Sequence, residues 1–119
     1  MTGRSAPRPP RLSPALLHLL LALTDGPKHG YALMLEARER TGGRVRLGPG
    51  SLYWALDRLA EADLISETVA PPPSTTDESA AGEERRRYWR LTDAGRDRLR
   101  EEAGSLAALV DLARVRGVL

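Results

Sequence analysis

"GPGSLYWALDRLAEADLI", residues 48–65, opens on a Gly-Pro-Gly turn and continues as a helix with two different sides. Leu52, Leu56 and Leu59 fall at i, i+4 and i+7, so they share one face, with Ala55 beside them. On the same wheel Trp54, Asp57 and Glu61 point away, Ser51 and Arg58 flank one edge, and Tyr53 flanks the other. The leucine face needs a core. The opposite side carries a hydroxyl, an indole and a guanidinium that nothing inside a small domain requires.

Upstream, Leu12-Ser13-Pro14 has the form of a helix start, with Ser13 as cap, Pro14 in the first turn and Leu12 as staple. That first helix runs to about Thr24 and stops at "DGP". A second begins near Lys28 or His29, continues through "GYALMLEARER", and ends at Gly42-Gly43; "RVRLGP" links it to the opening stretch. Downstream, "LISETV" (64–69) alternates as a strand does, and "RRRYWRL" (85–91) is its expected antiparallel partner. The proline-rich, acidic run between them, residues 70–84, is expected to be a mobile hairpin tip.

Thr92 is placed to cap a last helix from about Asp93 to Arg116. Leu99, Ala103, Leu106, Val110 and Ala113 repeat there at alternating spacings of four and three, with Leu109 and Leu112 widening the stripe. A chain of 119 residues is expected to form one domain and to bury a modest share of its surface, so this stripe calls for a partner helix.

The net charge of +2 conceals an uneven distribution. Of 18 basic residues only Lys28 is a lysine; Arg4, Arg8 and Arg11 mark a basic N-terminal arm, and Arg85, Arg86, Arg87 and Arg90 form a second cluster. Residues 61–84 hold seven acids and no base. Local basic patches of this kind meet phosphates.

Several classes are set aside. Without cysteine there are no disulfides, no thiol catalysis and no cysteine-ligated metal. The apolar run "ALLHLLLAL" (15–23) is too short to span a bilayer, and no small-x-small site follows it, so it is expected to be a buried helix and not a secretory signal. His18 lies in that run and reads as a core or interface histidine. The acids come as solvated runs, and no metal-ligand spacing, phosphate loop or nucleophile motif is present. No catalytic residue, metal or cofactor is expected, and the chain reads as a recognition protein and not an enzyme.

Three helices, a hairpin and a long helix, in that order, predict a mainly α fold with a small antiparallel hairpin: a winged helix-turn-helix followed by a C-terminal dimerisation helix. At this point the sequence resembles the PadR family of transcriptional regulators. The resemblance rests on "DGPKHGYALM" (25–34), "RLGPGSLYWALDRLAEADLI" (46–65) and "RRRYWRLTDAGRDRL" (85–99), in the family's order and at nearly its separations, covering residues 12–100. It implies a homodimeric DNA-binding repressor in the cytoplasm, without membrane attachment, that dimerises through its last helix and often its first. The single short last helix is similar to that of the small subfamily. Some of that subfamily bind flat aromatic drugs between tryptophans of the two last helices; this last helix has no aromatic residue, so no effector of that type is expected, and any effector stays unidentified. Trp89 replaces the second tyrosine of the wing motif, and the tip at 70–84 is longer than the family's usual wing.

The organisation expected is therefore a disordered basic arm at 1–11, a DNA-binding domain at 12–91 and a dimerisation helix at 92–119. The resemblance places Ser51 and Tyr53 on double-stranded operator DNA; the residues alone equally let Ser51 cap its helix and Tyr53 pack on helix two. Trp54 either enters the groove or packs on the wing, and Arg58 either meets phosphate or pairs with Asp57 or Glu61. Lys28, His29 and Tyr31 match the family's second phosphate-binding corner, with Tyr31 alternatively in the core. Arg85, Arg86 and Arg87 match its basic return strand, or neutralise Glu83-Glu84. Arg4, Arg8 and Arg11 either reach a minor groove or have no role. The dimer is expected to use Leu16, Leu20, Leu99, Leu106, Leu109, Val110 and Ala113. The rival reading is a protein-binding module anchored on Trp54 and Trp89.

Overall fold

Capping residues set the helix boundaries of the computed structural model, which describes residues 12–69 and 87–119. The expected arm at 1–11 and tip at 70–84, with Arg85 and Arg86, lie outside the described residues. The Ser13 side chain accepts a hydrogen bond from Leu16 N at 3.3 Å and starts α1, Pro14–Ala22. Nearly every face of α1 is apolar, and Leu16, Leu19, Leu20 and Ala22 are all buried. Such a helix is stable only when wrapped on several sides. Helices α2 (Gly30–Arg40), α3 (Pro49–Glu61) and α4 (Asp93–Val115) supply the wrapping, with Leu33, Leu52, Leu56, Leu59 and Leu99 closing one core around it.

The sheet differs from the expected hairpin. It has three antiparallel strands, β1 (Lys28–His29), β2 (Ile65–Thr68) and β3 (Tyr88–Leu91), in the order β1-β3-β2. Helix two therefore begins at Gly30, and the residues ahead of it pair as Lys28↔Trp89 and His29↔Tyr88. A two-residue strand has no periodicity to read; β3 imposes it by offering its second edge. The β2–β3 register, Ile65↔Leu91 through Thr68↔Tyr88, puts Ile65, Trp89 and Leu91 on the inner face.

Helix α3 ends in a Schellman turn. Asp63 N–H donates to the Ala60 carbonyl and Leu64 N–H to the Leu59 carbonyl, both at 3.0 Å, with Asp63 in the left-handed region at φ 63°. The turn throws the chain into β2 and buries Leu64 against the same core as Leu59. After β3, Thr92 caps α4 by accepting from Gly95 N at 2.9 Å.

The structure corrects part of the expected dimer surface. Leu16, Leu20 and Leu99 are buried in the chain's own core, because α1 and the first turns of α4 are needed to cover each other. Leu106, Leu109 and Val110 remain exposed and Ala113 is half-buried, on the part of α4 that runs beyond the core.

Two glycines of α4 test this packing. A Cβ at Gly95 would stand 2.0 Å from the Leu64 carbonyl oxygen and 2.8 Å from Leu91 Cδ1, whereas one at Gly104 would meet nothing within 4 Å. Gly95→Ala is expected to cost about 3 kcal/mol or more and lower Tm by roughly 10 °C or more. Gly104→Ala, on the side of α4 away from the leucine stripe, is expected to gain roughly 1 kcal/mol from helix propensity and to raise Tm by a few degrees. Thermal unfolding followed by circular dichroism checks both.

Candidate nucleic-acid interface

Helix α3 buries Leu52, Ala55, Leu56 and Leu59, and that choice fixes what it shows to solvent: Ser51, Tyr53, Trp54, Asp57 and Arg58 are all exposed. Its cap is Gly48 without a side-chain hydrogen bond, so Ser51 is not a capping residue and its hydroxyl points outward. Trp54 is the most open of the large side chains on this helix, at 62 % exposure. The Arg58 guanidinium lies over its ring, 5.2 Å from the centroid, and this stack replaces the alternative pairing with Asp57 or Glu61.

Tyr31 joins the same surface. It is 53 % exposed and not part of the core, and it follows Gly30, which lies against Leu52 and Leu56 of α3. A Cβ at Gly30 would sit 3.3 Å from Leu52 Cδ2 and 3.8 Å from Tyr53 Cε1, so the absent side chain lets the start of α2 stand beside Tyr53.

From the sheet comes Arg87, which donates to both carboxylate oxygens of Glu67, at 2.9 and 3.2 Å. Its guanidinium also covers the Trp89 ring at 4.7 Å, and it lies near enough to Asp57 and Tyr53 to feel both electrostatically. The charge of Arg87 is therefore already countered within the chain by Glu67. The hydrogen bonds from Arg87 hold the Glu67 carboxyl below its ordinary pKa.

Two expected contacts have other employment. The Lys28 ammonium donates to the Ala22 carbonyl, to Asp25 at 2.8 Å and to Glu36 at 2.8 Å, tying the end of α1 to α2. Burial pushes the Lys28 pKa down, but its hydrogen bonds to Asp25 and Glu36 outweigh that and raise it, so the ammonium stays charged and internally engaged. His29 caps α2, its Nδ1 accepting from Ala32 N at 3.1 Å, and its ring meets Tyr88 edge-on at 5.4 Å. Trp89, the second anchor of the protein-binding alternative, is 2 % exposed and belongs to the core.

The structure also brings forward cations that the sequence reading left out. Arg44 and Arg46 are exposed in the link between α2 and α3, with Arg44 near the start of α1 and the end of α2. Arg46 bends back on the Gly43 carbonyl at 3.1 Å, while Arg44 forms no ion pair among the described residues. Their signal was a pair of arginines just ahead of the Gly-Pro-Gly turn. An open groove of about 650 Å³ separates the start of α1 from α3, with Leu16 and Leu47 in its wall and Trp54 and Arg58 among its lining residues. Among the described residues no cluster of side chains is suited to a metal ion, and no helix is long and apolar enough to cross a membrane.

Comparison with known proteins bears on the family and the fold. Residues 19–101 match the family described as Transcriptional regulator PadR-like. A protein from Streptomyces fradiae described as an uncharacterized 37.1 kDa protein in a transposon is 39 % identical over 99 residues, 83 % of this chain. The chain spans about a quarter of the length of that relative (25 %). Among solved structures, a PadR family transcription regulator from Clostridium difficile superposes with a TM-score of 0.69 at 22 % identity, covering 86 % of this chain and 96 % of that one. A PadR-like transcription factor from Bacteroides fragilis gives 0.62 at 23 % identity, covering 83 % and 85 %. At these identities the two structures support the fold.

The Glu67–Arg87 pair gives this surface a measurable acid response. A depressed carboxyl pKa means that the pair contributes above the ordinary range, around 4.5, and is lost as pH falls through the lowered Glu67 value. An NMR titration of the Glu67 carboxyl is expected to show a midpoint below 4.5 that returns to the ordinary range in Arg87→Met.

Proposed function

This chain belongs to the PadR-like family of transcriptional regulators, and from that premise we propose that it binds a two-fold symmetric operator as a homodimer and represses transcription by occupying it. The observation that carries the reading is the outward side of α3, where Ser51, Tyr53, Trp54 and Arg58 stand exposed beside Tyr31 and Arg87. A helix of 13 residues with such a face fits the major groove. Ser51, Tyr53 and Arg58 contact phosphates or base edges, Trp54 lies against the sugar-phosphate wall, and Tyr31, Arg44 and Arg87 position the domain on the backbone. Arg85 and Arg86, the two residues ahead of Arg87 in the sequence, are assigned to phosphate on the family resemblance. Lys28 and His29 act indirectly, by holding α2 in place.

Dimerisation rests on α4. Leu106, Leu109 and Val110 share a stripe with Ala113 that the described residues leave uncovered. Two such stripes packed together bury leucines worth about 2 kcal/mol each. Each dimer then presents two α3 helices to half-sites roughly one DNA turn, ~34 Å, apart. The protein acts where the genome is, in the cytoplasm.

The experiment is fluorescence anisotropy on duplex DNA from upstream of the protein's own gene, across a salt series and with unrelated duplex as competitor. Log affinity is expected to fall linearly with log salt at about −0.9 per phosphate contact. Tyr53→Ala and Arg58→Ala are each expected to cost about 1–3 kcal/mol, and Arg44→Ala to weaken all sequences alike. A Leu106→Asp, Val110→Asp double variant is expected to sediment as a monomer and to lose operator preference. A flat salt response from folded protein would overturn the reading.

A further inference from the structure

Helices α3 and α4 do not pack along one another; their direct connection is a joint between the end of one and the start of the other. In that joint Thr92 N–H donates to the Leu64 carbonyl at 3.1 Å, and the Thr92 hydroxyl donates to the Asp63 carbonyl. The same hydroxyl oxygen accepts from Gly95 N, and Gly95 lies so close to Leu64 O that no side chain fits between them. The two carbonyls belong to the Schellman turn that ends α3, with Asp63 held at φ 63°. One threonine and one glycine thus lock the terminus of α3 to the first turn of α4.

We propose that Thr92 is a positioning residue for operator recognition, and that the Asp63–Leu64/Thr92–Gly95 joint sets which half-site separation the dimer accepts. The inference rests on the dimeric DNA-binding reading above. Its physical ground is leverage. Helix α4 has 23 residues. At that length, ~35 Å, a ~10° swing at the joint moves the far end by ~6 Å, against ~3.4 Å per base pair along DNA. Among the described residues α4 also packs on α1, sends a 3.4 Å hydrogen bond from Arg96 to the Thr24 carbonyl, and places Leu99 in the core that α1 and α3 share. The joint is where the backbone at the end of α3 is hydrogen-bonded to the start of α4, so loosening it is the direct way to let the angle between them drift.

Thr92→Asp separates this role from capping, because an aspartate still accepts from Gly95 N but has no proton to donate to the Asp63 carbonyl. Thr92→Ser keeps both. Each full-length protein is checked for folding by circular dichroism and for dimer formation by sedimentation. Each is then used to select from a duplex library with a random 30-base-pair window, and the spacing between recovered half-sites is read by sequencing. The expected result is one spacing for wild type and Thr92→Ser. For Thr92→Asp we expect a spread over neighbouring spacings and a roughly tenfold loss of preference for the best one, with the half-site sequence unchanged. An unchanged single spacing in folded, dimeric Thr92→Asp overturns the proposal alone. Wild-type protein that selects unpaired sites, or none, overturns the dimeric reading and this proposal with it.

Discussion

A short helix with leucine on almost every side has to be wrapped, and the architecture follows from how α1 is wrapped. The chain cannot hide Leu16, Leu19 and Leu20 with one neighbour, so it uses α2, α3 and the beginning of α4 together. Each contributes its apolar face. What those helices present to solvent is then no longer free to vary: once Leu52, Leu56 and Leu59 turn inward, Tyr53, Trp54 and Arg58 have to face out. The outward side of α3 is the reverse of the core, fixed by the same periodicity.

Most of this was legible in the sequence because it depends on local chemistry. Ser13 and Thr92 cap the helices they were expected to cap, and the leucine spacing of α3 is borne out by its burial. The elements that escaped are those set by distant partners. β1 is two residues long and exists only because β3 lies alongside it, 61 positions away in the Lys28↔Trp89 pair. Lys28 stands in a motif that suggests phosphate, yet Asp25 and Glu36 reach it first, and nothing in the spacing of these three announces a shared site.

The candidate site was harder to read than the fold for a related reason. Exposure separates residues that a pattern cannot rank. Tyr31 and Trp89 both looked ambiguous, and the core resolved them in opposite directions, leaving the tyrosine open and burying the indole beneath Arg87. Leu16, Leu20 and Leu99 were assigned to a subunit contact because a stripe on a helix does not say which body covers it. Arg44 and Arg46 went unremarked because two cations in a short link carry no periodicity that says which way they face; their exposure is set only once the chain has folded.

One consequence concerns how the charge of this protein is held. Every cation among its side chains except Lys28 and the two histidines is a guanidinium, which stays protonated across the range of cellular pH. The sole side-chain amine, the one group here whose charge acylation would erase, is clasped between α1 and α2 by two carboxylates. Modifying it would loosen a structural tie; it would not thin the field that the arginines present to phosphate. The positive charge on the outward side of α3 and its neighbours, carried by guanidiniums, is therefore set neither by cellular pH nor by lysine acylation.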